Sequence, residues 1–193
     1  MDLEEYLTKL ASDAPAPGGG SAAMLVGAAG CSLVAMVARI TRGSKKYEGV
    51  YDVADRLVRE ADDLRKRMLT LRERDEIAFE AVVTARGDKE AMQRALADAA
   101  AVPLEGALAS ARALALAADA LKLNNPHLIS DAGCAAEFVY AAMVSCVYNV
   151  RINHKYMHDS PERSAQRKQL DELETQGAAL LQHVRSSVTT SLT

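Results

Sequence analysis

The chain has 193 residues, 49% of them hydrophobic and 25% charged, with a formal net charge of -3. That balance fits one globular domain over residues 1–193 and provides no basic field to hold a phosphate backbone, so nucleic acid is not an expected partner. Aromatic residues are only 4%, Trp is absent and Ala is abundant, so the core must be built from small side chains in close contact, which suits helices better than sheets.

Asp2 is placed to cap a short first helix reaching about Ser12, with Leu3, Leu7 and Leu10 on one side. Met1-Asp2-Leu3-Glu4-Glu5 has neither the basic nor the apolar region of a signal peptide, which makes the cytoplasm the expected location. Pro15, Pro17 and the run Gly18, Gly19, Gly20 then break the helix, and Ser21 is the expected N-cap of the next. From Ala22 to about Thr41 the sequence is apolar around the whole helical circumference, which predicts a central helix enclosed by others. Its first part is apolar enough to suggest a membrane span, but Gly27, Gly30, Ser32 and the following Arg39 favour a soluble helix and no membrane partner.

A basic connection from Arg42 to Gly49 carries Lys45, Lys46 and Tyr47, which are either solvated surface or groups that neutralise an anionic tail. The spacing of Val50, Val53, Leu57, Ala61, Leu64, Met68, Leu71, Ala78 and Val82 predicts one long helix to about Arg86. Extending its apolar stripe lands on Asp75, so a carboxylate sits on the buried face. Such a group must find a partner or hold its proton more tightly, and either a general base or a structural pair with Arg72 or Arg74 meets that condition.

Gly87 ends that helix, Asp88 caps the next, and Pro103 is expected to kink or restart it before Leu104 to Leu123. A turn at Asn124-Asn125-Pro126-His127 precedes an apolar helix from Ser130-Asp131 to beyond Asn153, and Ser160-Pro161-Glu162 opens the last. No strand or repeat is evident. Cys31, Cys134 and Cys146 are odd in number, lack CxxC spacing and lie in apolar helical segments, which predicts buried thiols.

Four groups of residues are placed to carry chemistry. Gly18, Gly19, Gly20 and Ser21 ahead of a helix form either an anion cradle or a tight helix contact. Asp75 is the second, and Asp131 with the stripe of Ser145, Asn149 and Asn153 the third, since buried amides must have their hydrogen bonds met and can read a polar ligand. His154 and His158 have the spacing of a helical metal pair, but HEXXH and a third ligand are missing, so no metal is expected.

With these residues in order, the chain resembles the cyclodeaminase/cyclohydrolase family of one-carbon folate enzymes. The resemblance rests on Ala16-Pro17-Gly18-Gly19-Gly20-Ser21, Lys45-Lys46-Tyr47, Asp75 with Ala78-Phe79, Ser130-Asp131-Ala132-Gly133, and Asn149-Val150 with Ile152-Asn153. It implies an all-α fold, a bundle of long helices around an apolar central one like the C-terminal domain of formiminotransferase-cyclodeaminase, that forms a homodimer. It also implies hydrolysis of 5,10-methenyltetrahydrofolate to 10-formyltetrahydrofolate, the role more usual for a chain without a formiminotransferase domain. Formiminotetrahydrofolate cyclodeaminase releasing ammonia is the alternative, and a non-catalytic folate-binding or protein-interaction bundle a second. Asp75 and Asp131 would then be the catalytic carboxylates, assisted by Lys46. Gly18 to Ser21, Arg42, Lys45, Tyr47, Asn149 and Asn153 would bind a tetrahydrofolate substrate, with no further cofactor and no metal. One departure stands out: the glycine expected just before the turn is replaced around Leu123 and Asn124, and Pro126 lies within it.

Overall fold

The structure is a computed structural model that describes residues 2–193, with Met1 outside them. Asp2 opens α1 (Leu3–Leu10) through a reciprocal cap: its carboxylate accepts from the Glu5 amide at 2.9 Å, and the Glu5 side chain accepts from the Asp2 amide at 3.0 Å. α2 (Gly19–Arg42) begins before the expected cap. Gly18 is its N-cap in extended conformation with no side-chain bond, and Ser21 lies fully buried inside the first turn. The Ser21 hydroxyl is drawn away from capping by two tertiary partners, the Tyr6 hydroxyl and the Glu76 carboxylate, each at 2.9 Å.

A 3₁₀ segment, Lys45–Val50, leads into α3 (Tyr51–Thr84). Asp88 caps α4 (Lys89–Ala120), its carboxylate accepting from the Glu90 and Ala91 amides. Contrary to the expected restart, α4 runs through the buried Pro103. Proline has no amide hydrogen, so the Ala99 carbonyl one turn earlier loses its helical donor. Asn153 supplies a replacement, its Nδ2 donating to that carbonyl at 2.9 Å.

After a 3₁₀ turn at Leu121–Leu123, Asn124 takes the left-handed conformation, φ 51°, where glycine is the usual residue. The Asn125 side chain accepts from the His127 amide and organises a second 3₁₀ turn, Pro126–Leu128. The departure around Leu123 and Asn124 is thus absorbed by a residue type that tolerates positive φ. α5 (Ile129–Tyr156) and α6 (Pro161–Leu192) complete the chain, the latter capped by Ser160 and begun by proline.

α2, α3, α4 and α5 form a four-membered ring of neighbours, with α6 against α4 and α5. α2 and α5 are antiparallel: Gly19 lies by Asn149, Gly27 by Ala142, and Gly30 by Val139 and the Ala135 carbonyl. A Cβ on Gly30 would fall 2.5 Å from Val139 Cγ1 and 3.1 Å from that carbonyl, so the two backbones approach as closely as they do because the position is bare. The long apolar side chains, Met24, Leu57, Met68, Leu71, Leu114 and Met143 among them, fill the space these contacts leave.

The expectation that α2 is enclosed on all sides fails on one side. Val26 and Ile40 of α2 are exposed, as are Phe138, Tyr148 and Ile152 of α5, and together they form an apolar face along the α2–α5 edge. Three stretches, Gly19–Arg42, Lys89–Leu123 and Pro126–Tyr156, are long and apolar enough to cross a membrane, yet in the first two 61% of the apolar window is buried against other helices. The cysteines divide as well. Cys31 and Cys146 are buried, which pushes both thiols up to about 12, but Cys134 is exposed on α5 because its position faces away from the ring.

Asn153→Ala should strand the Ala99 carbonyl and cost about 1–2 kcal/mol of stability in urea unfolding. In a Pro103→Ala background, where the helix regains its own donor, the same substitution should cost measurably less. Equal losses in both backgrounds would mean that Asn153 does not substitute for the missing amide.

Candidate active site

A cavity of about 260 Å³ opens where the Gly-rich loop meets α3, α4 and α5. Gly18, Gly19 and Gly20 form one wall, Asp75, Glu76, Phe79 and Val82 of α3 a second, and Leu96 and Ala99 of α4 a third. α5 closes it with Asn149, Ile152, Asn153 and Tyr156.

Among the described residues Asp75 has no arginine partner. Arg74 donates to Glu105 at 3.1 Å, and Arg72 donates to Glu73 at 3.2 Å while its guanidinium lies 5.2 Å from the centre of the Tyr6 ring. The structural ion pair read from the sequence is therefore not made. The carboxylate instead packs against the start of α2: a Cβ on Gly20 would lie 2.4 and 2.6 Å from its two oxygens. A Cβ on Gly19 would meet only Asn149 at ordinary contact, and one on Gly18 would meet nothing. Of the three glycines, Gly20 is the one whose missing side chain the site requires.

That placement sets two effects against each other. Burial among apolar walls disfavours the anion, whereas the Ser21 amide at the positive end of α2 favours it. Burial prevails, reinforced by the neighbouring Glu76 charge, and Asp75 is raised from 3.8 to about 6. A carboxyl so poised exchanges its proton near neutral pH, as an acid–base group must.

Asn149 and Asn153 do line the cavity, but their amide nitrogens are committed to main-chain carbonyls. Asn149 Nδ2 donates to the Ser145 carbonyl, and Asn153 Nδ2 to those of Ala99 and Asn149. Asn153, with both amide hydrogens used, presents its oxygen, an acceptor, whereas Asn149 presents its oxygen and one remaining amide hydrogen. Sequence reading missed Glu76 and Tyr6. Ser21 bridges them, and Tyr6 is buried to 1% exposure, with its phenol pushed up chiefly by that burial. The aromatic at position 6, set among Leu3, Leu7 and Leu10, was the available signal for a residue anchored inward.

The remaining expected residues lie at the other end of the bundle. Asp131, in the first turn of α5, is half-buried and about 27 Å from Asn149 along the helix axis at 1.5 Å per residue. Lys45 and Lys46 are exposed on the 3₁₀ segment. Tyr47 donates its hydroxyl hydrogen to Asn125 Oδ1 at 3.2 Å, and Asn125 Nδ2 donates to Thr41 Oγ1 at 3.0 Å. Arg42 pairs with Asp55 at 3.1 Å and lies 4.1 Å from the centre of the Tyr51 ring, so its charge is already met. An open depression beside Lys46, Tyr47, Gly49, Asn124 and Pro126 marks this end. The chain thus keeps Asp75, the glycines and the two asparagines together, and holds Asp131, Lys45, Lys46 and Tyr47 apart from them.

The histidine pair is split in the same way. His154 is fully buried and bonded to Gln166 at 2.8 Å, while His158 is exposed. Among the described residues no group of three or more His, Cys, Asp or Glu side chains is placed to hold a metal ion.

Residues 2–172 match the sequence profile of the family described as formiminotransferase-cyclodeaminase. The chain belongs to this family. It is 34% identical to a methenyltetrahydrofolate cyclohydrolase of Methylorubrum extorquens, across 96% of this chain and 95% of that one. It is 27% identical to the formimidoyltransferase-cyclodeaminase of Rattus norvegicus, matching 93% of this chain but only 36% of that longer protein. The crystal structure of a formiminotetrahydrofolate cyclodeaminase from Thermotoga maritima superposes with a TM-score of 0.87 at 30% identity, over 100% of this chain and 96% of that one. The all-α fold expected from the resemblance is therefore the fold of the family.

The tension at Asp75 has a measurable signature. The folded chain holds a proton that an ordinary aspartate releases near 3.8, so the contribution of Asp75 to stability is full below about pH 4 and is lost as pH rises through about 6. Asp75→Asn should be more stable than wild type by about 3 kcal/mol at pH 8, with the difference closing below about pH 4. Urea unfolding across pH checks this, and a pH-independent difference would refute it.

Proposed function

We propose that the chain is a methenyltetrahydrofolate cyclohydrolase. The observation that carries the reading is the unpaired Asp75 carboxyl, raised to about 6 in a cavity beside the start of α2. The end-to-end likeness to the Methylorubrum enzyme favours hydrolysis. In 5,10-methenyltetrahydrofolate the carbon between N5 and N10 is already cationic. Asp75 takes a proton from water as its oxygen bonds to that carbon. The carbon–N5 bond then breaks, its electron pair goes to N5 with a proton from Asp75, and the formyl group stays on N10 while the second proton of the water passes to solvent. The negative carboxylates of the cavity hold the cation, and the Asn149 and Asn153 oxygens accept from the amino edge of a pterin. No cofactor beyond the tetrahydrofolate takes part, and the chain works in the cytoplasm as a soluble protein.

The second group of residues enters through a homodimer. Two copies packed on the α2–α5 face, about a two-fold axis perpendicular to the helices, bring the Asp131, Lys45, Lys46 and Tyr47 end of one chain to the Asp75 cavity of the other. What supports this is the exposed row of Val26, Ile40, Phe138, Tyr148 and Ile152 between the two ends, together with the antiparallel run of α2 and α5. The lysines then meet the substrate's carboxylate tail, and Asp131 faces the reacting carbon from the opposite side.

A cyclodeaminase reading is favoured by the Thermotoga structure, and the same site serves it, with N10 attacking the formimino carbon and ammonia leaving. Loss of the methenyl chromophore without ammonia release from the formimino substrate supports the hydrolase, and ammonia release the deaminase. Tight folate binding with turnover of neither identifies a binding protein. Asp75→Asn should lower turnover by about 10²- to 10⁴-fold.

Co-expressed Asp75→Asn and Asp131→Asn chains, each inactive alone, should regain about a quarter of wild-type activity through mixed dimers that contain one intact site. No recovery would place both aspartates' roles within single chains. Full activity of Asp131→Asn by itself would remove that residue from the site.

A further inference from the structure

Asp75 and Glu76 are consecutive on α3, and adjacent helical residues ordinarily point in different directions. Here both line the same cavity, because each is engaged by a different residue of the first turn of α2. Asp75 fills the space left by the absent Cβ of Gly20, and Glu76 accepts the Ser21 hydroxyl hydrogen at 2.9 Å. Ser21 is held in turn by the Tyr6 hydroxyl at 2.9 Å. Tyr6 and Ser21 are both buried, so this chain from α1 through α2 to α3 has little freedom to rearrange. One Glu76 oxygen is tied down, and the side chain is held at the cavity wall.

We propose that Glu76 is the second carboxylate of this site, a positioning residue fixed by Ser21 and Tyr6 so that its negative charge acts on the Asp75 carboxyl and on any cation bound beside it. The inference rests on the reading of Asp75 as the acid–base group. Two carboxyls sharing a cavity with largely apolar walls repel as anions, and one of them keeps its proton until a positive charge enters. A cationic ligand relieves that repulsion, so its arrival and the departure of the Asp75 proton are coupled. The base is produced where and when the cation is bound, and a neutral ligand of the same shape lacks this coupling.

Within its own chain the groups that face Asp75 are few. Glu76 lies on its own helix, the Tyr6 phenol on α1 and the Cys146 thiol on α5, while α2 contributes main-chain amides. α4 presents only Leu96 and Ala99 to the cavity. Tyr6 and Cys146 are both shifted upward by burial and stay neutral at working pH, and Arg72 is engaged with Glu73 and the Tyr6 ring. Glu76 is thus the one neighbour in this set whose charge can be removed by an isosteric change.

The direct test is the titration of the Asp75 carboxyl, followed by NMR in the full-length, unliganded chain labelled with ¹³C at aspartate carboxyls and assigned by its absence in Asp75→Asn. In Glu76→Gln the midpoint should fall by about half a unit to one unit. The acid limb of the kcat/KM profile with 5,10-methenyltetrahydrofolate should move in the same direction by the same amount. Tyr6→Phe, which keeps both carboxyls but loosens Ser21, should move the midpoint by less. An unchanged or raised midpoint in Glu76→Gln overturns the proposal, and so does a shift in Tyr6→Phe as large as that in Glu76→Gln. The carboxyl titration needs no turnover, so a wild-type chain inactive on both folate substrates defeats the proposed function while the NMR result still decides the role of Glu76.

Discussion

A carboxylate and the first turn of a helix share one corner of this bundle because residue 20 has no side chain. With Gly20 in place, the Asp75 oxygens approach to 2.4 Å of where a Cβ would stand. The same approach leaves the acid without a countercharge. α2 has no side-chain cap, so its leading amides and a tertiary aspartate meet where a Ser or Asp hydrogen bond would normally have closed the helix off. The helix end favours the anion and the apolar walls oppose it, and the upward shift of Asp75 shows that the walls prevail. Had Ser21 been the cap, its hydroxyl would have been consumed locally, and neither Glu76 nor Tyr6 would be tied to this corner.

The rest of the architecture follows from the same use of small residues. Gly30 lets α2 and α5 touch backbone to side chain, Gly106 makes room for Met24, and Gly177 for Met143. Close packing of this kind is rigid, since few rearrangements fill a space shaped by missing atoms. It also explains why α4 tolerates Pro103. The ring of helices brings Asn153 of α5 within 2.9 Å of the Ala99 carbonyl that the proline leaves open. An asparagine that sequence reading assigned to a ligand is occupied on its donor side by the fold, and only its acceptor oxygen is free for recognition.

The helices were legible in the sequence because periodicity and caps operate over a few residues. Asp88, Ser160 and Pro161 act as their positions imply, and Asp75 falls on the buried face that its spacing predicts. What escaped depended on contacts far apart in the chain. Ser21 looks like a cap until Tyr6 and Glu76 claim its hydroxyl, and Pro103 looks like a break until Asn153 repairs it. Cys134 lies in an apolar run yet faces outward, because a helix buried on two sides still has a third. Glu76 was hidden by its own helical phase: one residue from a buried position reads as surface, and only the Ser21 hydroxyl brings it inward. Asn124 is the reverse case, a substitution that looks disruptive and is accommodated at φ 51°.

The separation of the site residues is a consequence of helix length. α2 has 24 residues and α5 has 28, so motifs at their two ends stand tens of ångströms apart however the loops are arranged. Helices packed through bare glycines do not bend to close such a gap. A ligand that needs both ends would find them on different chains of the proposed dimer, where the apolar row between the ends has two duties. In that dimer it would supply the burial that holds two copies together, and through the positions of Phe138, Tyr148 and Ile152 it would fix the register at which one chain's lysines reach the other's Asp75. In a single chain this row is exposed hydrophobic surface and Asp75 is an acid without a countercharge. A second chain covering the first and completing the second gives one physical reason for both.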